Sequence, residues 1–212
     1  MSFLLTGLSL LAAAQAAVTS VEVKGGCSKL PGYSSSTGIA GPWIFTADHC
    51  HKIDSSNGAC SIEGFGSTSQ NFGDDRGYMG IVTENTMAKT PIRCNGHTDA
   101  FESRVEYKGS VGWVPVNVTD MPYSAQLMWG LGEYSRPLQA YELYEDDKKM
   151  DGFYLGAHNV TTWALSDVSS GGDPAYWQMR LLGPNSADPT TGKPLYDGET
   201  IKSYIRIDGI QV

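Results

Sequence analysis

Clusters of glycine, proline, serine and aspartate cut this chain into short apolar runs, and no window of helical length carries apolar residues at i, i+3 and i+4 between helix caps. The runs alternate instead. In the last stretch, residues 201–212, Ile201, Ser203, Ile205 and Ile207 fall on one face of an extended chain, and Lys202, Tyr204, Arg206 and Asp208 on the other. Residues 18–24 alternate as an edge strand does, and residues 43–47 form a short apolar strand buried on both faces. Residues 104–108 and 111–118 read as a hairpin about Gly109-Ser110. Further strands are expected at 60–65, 78–83, 126–131, 138–144, 152–157, 160–166 and 176–182. Many short strands separated by turn residues predict an all-β fold, a single-domain β-sandwich or β-barrel. A chain of 212 residues is the right length for one such domain and can bury a sizeable core.

Residues 1–16 hold no charged side chain, residues 3–14 are nearly all apolar, and Ala14-Gln15-Ala16 fits the small-x-small cleavage rule. This reads as a secretory signal peptide, too short to span a bilayer, followed by one β-rich extracellular domain over 17–212. Four cysteines then enter an oxidising compartment, and an even count there favours two disulfides. Three pairings are open; sequential pairing, Cys27 with Cys50 and Cys60 with Cys94, is the expectation because it keeps the loops local. No close C-x-x-C pair points to zinc. Asn117-Val118-Thr119 and Asn159-Val160-Thr161 are acceptor sequons for N-glycosylation. The net charge of -8 repels phosphate backbones and anionic headgroups, so neither nucleic acid nor a membrane surface is expected as a partner.

The densest chemistry lies in residues 43–51, Trp-Ile-Phe-Thr-Ala-Asp-His-Cys-His. An apolar strand delivers Asp48, His49, Cys50 and His51 within four positions. If the strand stays regular, His49 and His51 share a face and could reach one ion, with His97 and Asp99 as remote partners. The plainer reading is a turn histidine beside a structural disulfide, and no cofactor is expected.

Residues 43–50 resemble the histidine motif of chymotrypsin-like serine proteases, in which an apolar strand leads to Thr-Ala-Ala-His-Cys. Ser169-Ser170-Gly171-Gly172-Asp173-Pro174 is similar to that family's serine motif, and Asp74-Asp75 precede a stretch, 76–82, that resembles its aspartate strand. The resemblance implies His49 as general base, Asp75 as the acid that orients it and Ser170 as nucleophile, with Cys27 as the upstream partner of Cys50. Asp48 stands where the family has a small residue, Val168 where it has glycine and Ser169 where it has aspartate. A carboxylate at position 48 needs a partner if it is buried.

The aromatics suggest a different activity. Trp113, Trp129, Trp163 and Trp177, with many of the 11 tyrosines, crowd the second half of the chain. Most are expected in the core. A few in loops, with Tyr134, Tyr176 and Trp177 the candidates, would suffice to bind a glycan or a protein surface. The sequence therefore leads to two expectations. The first is a secreted, monomeric, non-enzymatic binding or effector-type protein acting on an extracellular glycan or protein at a host or cell-wall surface. The alternative is a serine hydrolase, active or decayed.

Overall fold

Alternation along the strands closes into a barrel. The computed structural model describes residues 18–52, 60–84, 86–120, 125–133, 135–169, 176–183 and 200–209. The expected signal peptide, Tyr134 and Ser170 lie outside the described residues. The strands are β1 (Val18–Glu22), β2 (Ile39–Lys52), β3 (Ser67–Gly73), β4 (Arg76–Val82), β5 (Ile92–Asn95), β6 (Ala100–Tyr107), β7 (Ser110–Thr119), β8 (Leu127–Trp129) and β9 (Ser135–Pro137). They continue as β10 (Gln139–Glu145), β11 (Lys148–Lys149), β12 (Phe153–Gly156), β13 (Trp163–Asp167), β14 (Tyr176–Leu181) and β15 (Thr200–Gly209). A single 3-10 turn, Gly26–Lys29, precedes β2.

Nine antiparallel strands form the closed ring, in the order β15, β13, β14, β4, β8, β7, β6, β5, β2 and back to β15. An odd number of antiparallel neighbours cannot alternate direction all the way round. A bridge from Gln126 to Arg180 resolves the conflict by taking β14 directly to the start of β8, which makes the ring even and leaves β4 wedged between them. Gly80 sits in this wedge, where a Cβ would come within 2.4 Å of the Tyr176 ring. Inward residues from every strand of the ring fill the barrel, among them Phe45, Met79, Ile81, Ile92, Leu127, Trp129, Trp163, Leu165 and Ile205.

The long strand β15 holds β13 along its first half and β12 along its second. From β12 a wing of β10 and β1 leaves the barrel, and β1 forms its outer edge. The wing has its own small core of Tyr141, Leu143, Met150 and Tyr154, with Val18 and Tyr204 packed against it. Together, barrel and wing confirm the all-β expectation.

Both disulfides form, with a pairing that corrects the sequential expectation. Cys27 bonds Cys94 and Cys50 bonds Cys60. Register explains the first: Ala40 of β2 pairs with Cys94 of β5, and the 3-10 turn just before β2 sets Cys27 beside that point. The second closes the most local loop open to the four residues, a separation of 10 against 67 for the first. On chain-entropy grounds Cys27–Cys94 is worth about 4 kcal/mol and Cys50–Cys60 about 3 kcal/mol.

Candidate functional site

The Asp48-His49-Cys50-His51 stretch lies on a β-bulge. Lys202 pairs with His51 and Tyr204 with Asp48, so His49 and Cys50 together oppose the single residue Ser203. His49 takes a left-handed φ of 49°, as the extra residue of a bulge can. Two groups hold this shape. The Glu63 carboxylate accepts the backbone N–H of His49 at 2.9 Å and of Cys50 at 2.8 Å. The buried Ser203 hydroxyl lies 3.1 Å from the amide nitrogen of Asp48 and 3.0 Å from its carbonyl oxygen.

The bulge shifts the phase of the strand. Before it, Trp43, Phe45 and Ala47 point into the barrel and Asp48 points out; after it, Cys50 packs against the core. Without the extra residue Cys50 would follow Asp48 outward and lose Cys60. His49 and His51 are both exposed. Among the described residues the one cluster with ligand-like spacing is Cys27, Cys94 and Asp99, and its two sulfurs are spent in a disulfide.

Asp48 is 7% exposed, and its burial is matched by partners. Oδ1 lies 3.0 Å from His49 Nδ1, Oδ2 lies 2.9 Å from the Tyr154 hydroxyl, and Arg206 stands 3.8 Å away. Burial first, and then the Asp48 carboxylate, push the Tyr154 phenol well above its ordinary range. For Arg206 burial opposes the charge, but Asp208 and Asp48 outweigh it and raise its pKa. The result is an exposed imidazole with Nδ1 fixed by a buried carboxylate.

The expected acid of the triad lies elsewhere. Asp75 sits in the β3–β4 turn, where Oδ1 accepts the backbone N–H of Lys108 at 2.7 Å. The carboxylate at His49 is its own neighbour, Asp48. Ser169, next to the undescribed Ser170, hydrogen-bonds Asp167 and receives the amide of Tyr176. Leu165 and Lys52 both face Ile201 of β15; His49 lies before that level on β2 and Ser169 beyond the end of β13.

Tyr176 and Trp177, expected to present their rings to a ligand, are 7% and 9% exposed within β14. Strand alternation turns Trp177 into the core, and Tyr176 is covered on the other face, where burial pushes its phenol far up. Trp43, Trp129 and Trp163 are buried as well.

Trp113 is different. Val114, Val116 and Val118 point inward, so Val111, Trp113 and Pro115 line the outer face of β7. Beside them lie Arg93 and Asn95 of β5 and Glu102, Arg104 and Glu106 of β6. The Arg93 guanidinium stacks over the indole at 4.4 Å from the ring centroid. Its nitrogens lie 2.6 and 2.7 Å from Glu102 Oε2, and Asn95 donates to Oε1 at 3.0 Å. Glu102 is thus a fixed carboxylate, 7% exposed, beside a half-buried indole on an otherwise open sheet face. Strand parity alone would have singled out Trp113, since the run 111–118 places it opposite three inward valines.

Of the two sequons, Asn159 lies exposed at the tip of a tight turn closed by the Ala157–Val160 bridge, with His158 at φ 52° and Asn159 at φ 62°. Asn117 is within β7, its amide 3.3 Å from the Ser135 hydroxyl, and Thr119 is buried. No protein-family model matches the chain, and no curated protein matches it.

Proposed function

We propose that the protein is a secreted binding protein that recognises extracellular glycan through the outer face of β5, β6 and β7. One observation carries this reading: of the five tryptophans, Trp113 alone keeps its ring at the surface, with Arg93, Asn95 and Glu102 locked around it. A half-exposed indole on an open sheet face suits the C–H surface of a β-linked sugar chain, and the fixed charged and amide groups suit its hydroxyls. Preorganisation matters, because side chains already held pay little ordering entropy on binding. Two disulfides fit an oxidising exterior, and among the described residues no helix is long and apolar enough to cross a membrane. The turn at Asn159 is where a glycan on this protein would sit without disturbing a strand.

Calorimetric titration with hexasaccharides of glucose and of N-acetylglucosamine, both β-linked, tests the reading. Wild type is expected to bind at least one, and Trp113→Ala to weaken it by about tenfold or more. Failure of wild type to bind either, or equal binding by the variant, refutes it.

A second reading, a hydrolase of the chymotrypsin-like kind, rests on the His49 ring held by Asp48 at 3.0 Å. Fluorophosphonate labelling that is present in wild type and lost in His49→Ala supports it; an unlabelled wild type removes it.

A further inference from the structure

Independently of the glycan reading, we propose that a second site, the cleft between the wing and the barrel mouth, binds a small organic cation: a compact apolar body carrying one protonated amine. The cleft encloses about 300 Å³. Its size is at the lower end of small-molecule sites, which are concave, mostly apolar and fitted with few polar groups. The floor is the Cys27–Cys94 disulfide with Leu30, Phe101 and Leu138, every one of them buried.

Two carboxylates stand over that floor. Asp99 is held in a left-handed conformation, φ 52°, and its Oδ1 accepts the backbone N–H of Cys27 at 3.1 Å. Its position depends on Gly26, where a Cβ would fall 2.0 Å from Asp99 Oδ1. With Oδ1 anchored, Oδ2 remains for a ligand. Glu22, at the end of β1, contributes the second carboxylate. Among the described residues lining the cleft, Lys24 alone is cationic; it meets Glu22 at 3.3 Å with a side chain 85% exposed. Such a surface pair is worth little, and the flexible ammonium can yield Glu22 to an incoming amine. The -8 net charge draws cations toward the chain as a whole.

An apolar floor beneath fixed acids distinguishes ligands by charge. Phenethylammonium and phenethyl alcohol share a shape and differ in the head group, which makes them the probes. In calorimetric titrations at low salt, wild type is expected to prefer the amine over the alcohol by on the order of tenfold, with the preference shrinking as salt rises. Asp99→Asn keeps an oxygen for Cys27 and is expected to cut the preference for the amine several-fold. Glu22→Gln, on an exposed edge strand, should weaken amine binding several-fold, and serves if the Asp99 variant fails to fold. Equal affinity for amine and alcohol in wild type, an unchanged preference in Asp99→Asn, tighter binding of glucose than of the amine, or no binding of either probe overturns the proposal.

Discussion

Two carboxylates, Asp48 and Glu102, sit on the outside of the same barrel, and each is 7% exposed. Each has an arginine beside it, Arg206 for the first and Arg93 for the second. Their surroundings differ. Asp48 is roofed by the wing: Tyr154 of β12 reaches it, and the Tyr154 and Tyr204 rings pack edge to face. Glu102 has no wing above it, and its companions Arg104 and Glu106 lie in solvent. A buried charge can thus serve two ends. Under a roof it secures one element to another; on an open face it fixes the polar groups around an aromatic ring.

The largest expected effect breaks the roofed member. Asp48→Ala takes from the buried Tyr154 hydroxyl the carboxylate acceptor, leaving it the Asp151 carbonyl at 3.0 Å, and removes the charged partner of the His49 ring and of Arg206. A loss of about 2–3 kcal/mol is expected, a fall in Tm of roughly 5–10 °C. Glu102→Ala should cost only about 1 kcal/mol, because the Arg93 side chain is 24% exposed and can rehydrate. Thermal melts of both variants check the contrast; equal losses would erase the distinction between the two carboxylates.

Next comes the open face itself. Glu102→Ala and Trp113→Ala should both weaken oligosaccharide binding by about tenfold while Asp48→Ala, corrected for folded fraction, leaves it unchanged. A comparable drop in all three would mean that binding follows stability and not the surface around Trp113.

Alkaline pH sharpens the comparison from the other side. Burial raises the Tyr154 and Tyr176 phenols, with Asp48 adding to the effect at Tyr154. The unfolded chain releases these protons near pH 10 while the native state keeps them. Their contribution is therefore constant below about pH 10 and is lost as pH rises above it. Urea melts at pH 8 and pH 11 should show a smaller alkaline loss for Tyr154→Phe than for wild type, against a cost of about 1 kcal/mol at pH 8. The smallest effect concerns glycans: Asn159→Gln should shift the mass of protein secreted from eukaryotic cells by one glycan with Tm unchanged, and Asn117→Gln should not shift it.

Much of this arrangement was legible in residue order. The alternation at 201–208 survives in β15, where Ile201, Ile205 and Ile207 enter the core. The hairpin about Gly109-Ser110 is there with its turn one residue earlier, at Lys108 and Gly109, both at left-handed φ. The need of Asp48 for a partner also followed from desolvation alone. What escaped depends on contacts between distant segments. Disulfide pairing is set by the β2–β5 register, and the bulge at His49 by Glu63 and Ser203, one of them from the far end of the chain. Tyr176 and Trp177 directly follow a Gly/Pro/Asp loop in the sequence, at the start of the strand expected over 176–182, yet β4 on one side and β13 on the other enclose them in the sheet.

The most direct test of the open face watches all five indoles at once. In a heteronuclear NMR titration of the labelled protein with the oligosaccharide that binds, the Trp113 Nε1–H resonance should move and saturate, with those of Trp43, Trp129, Trp163 and Trp177 still. A titration in which the Trp113 signal stays fixed while the sugar binds would contradict the account.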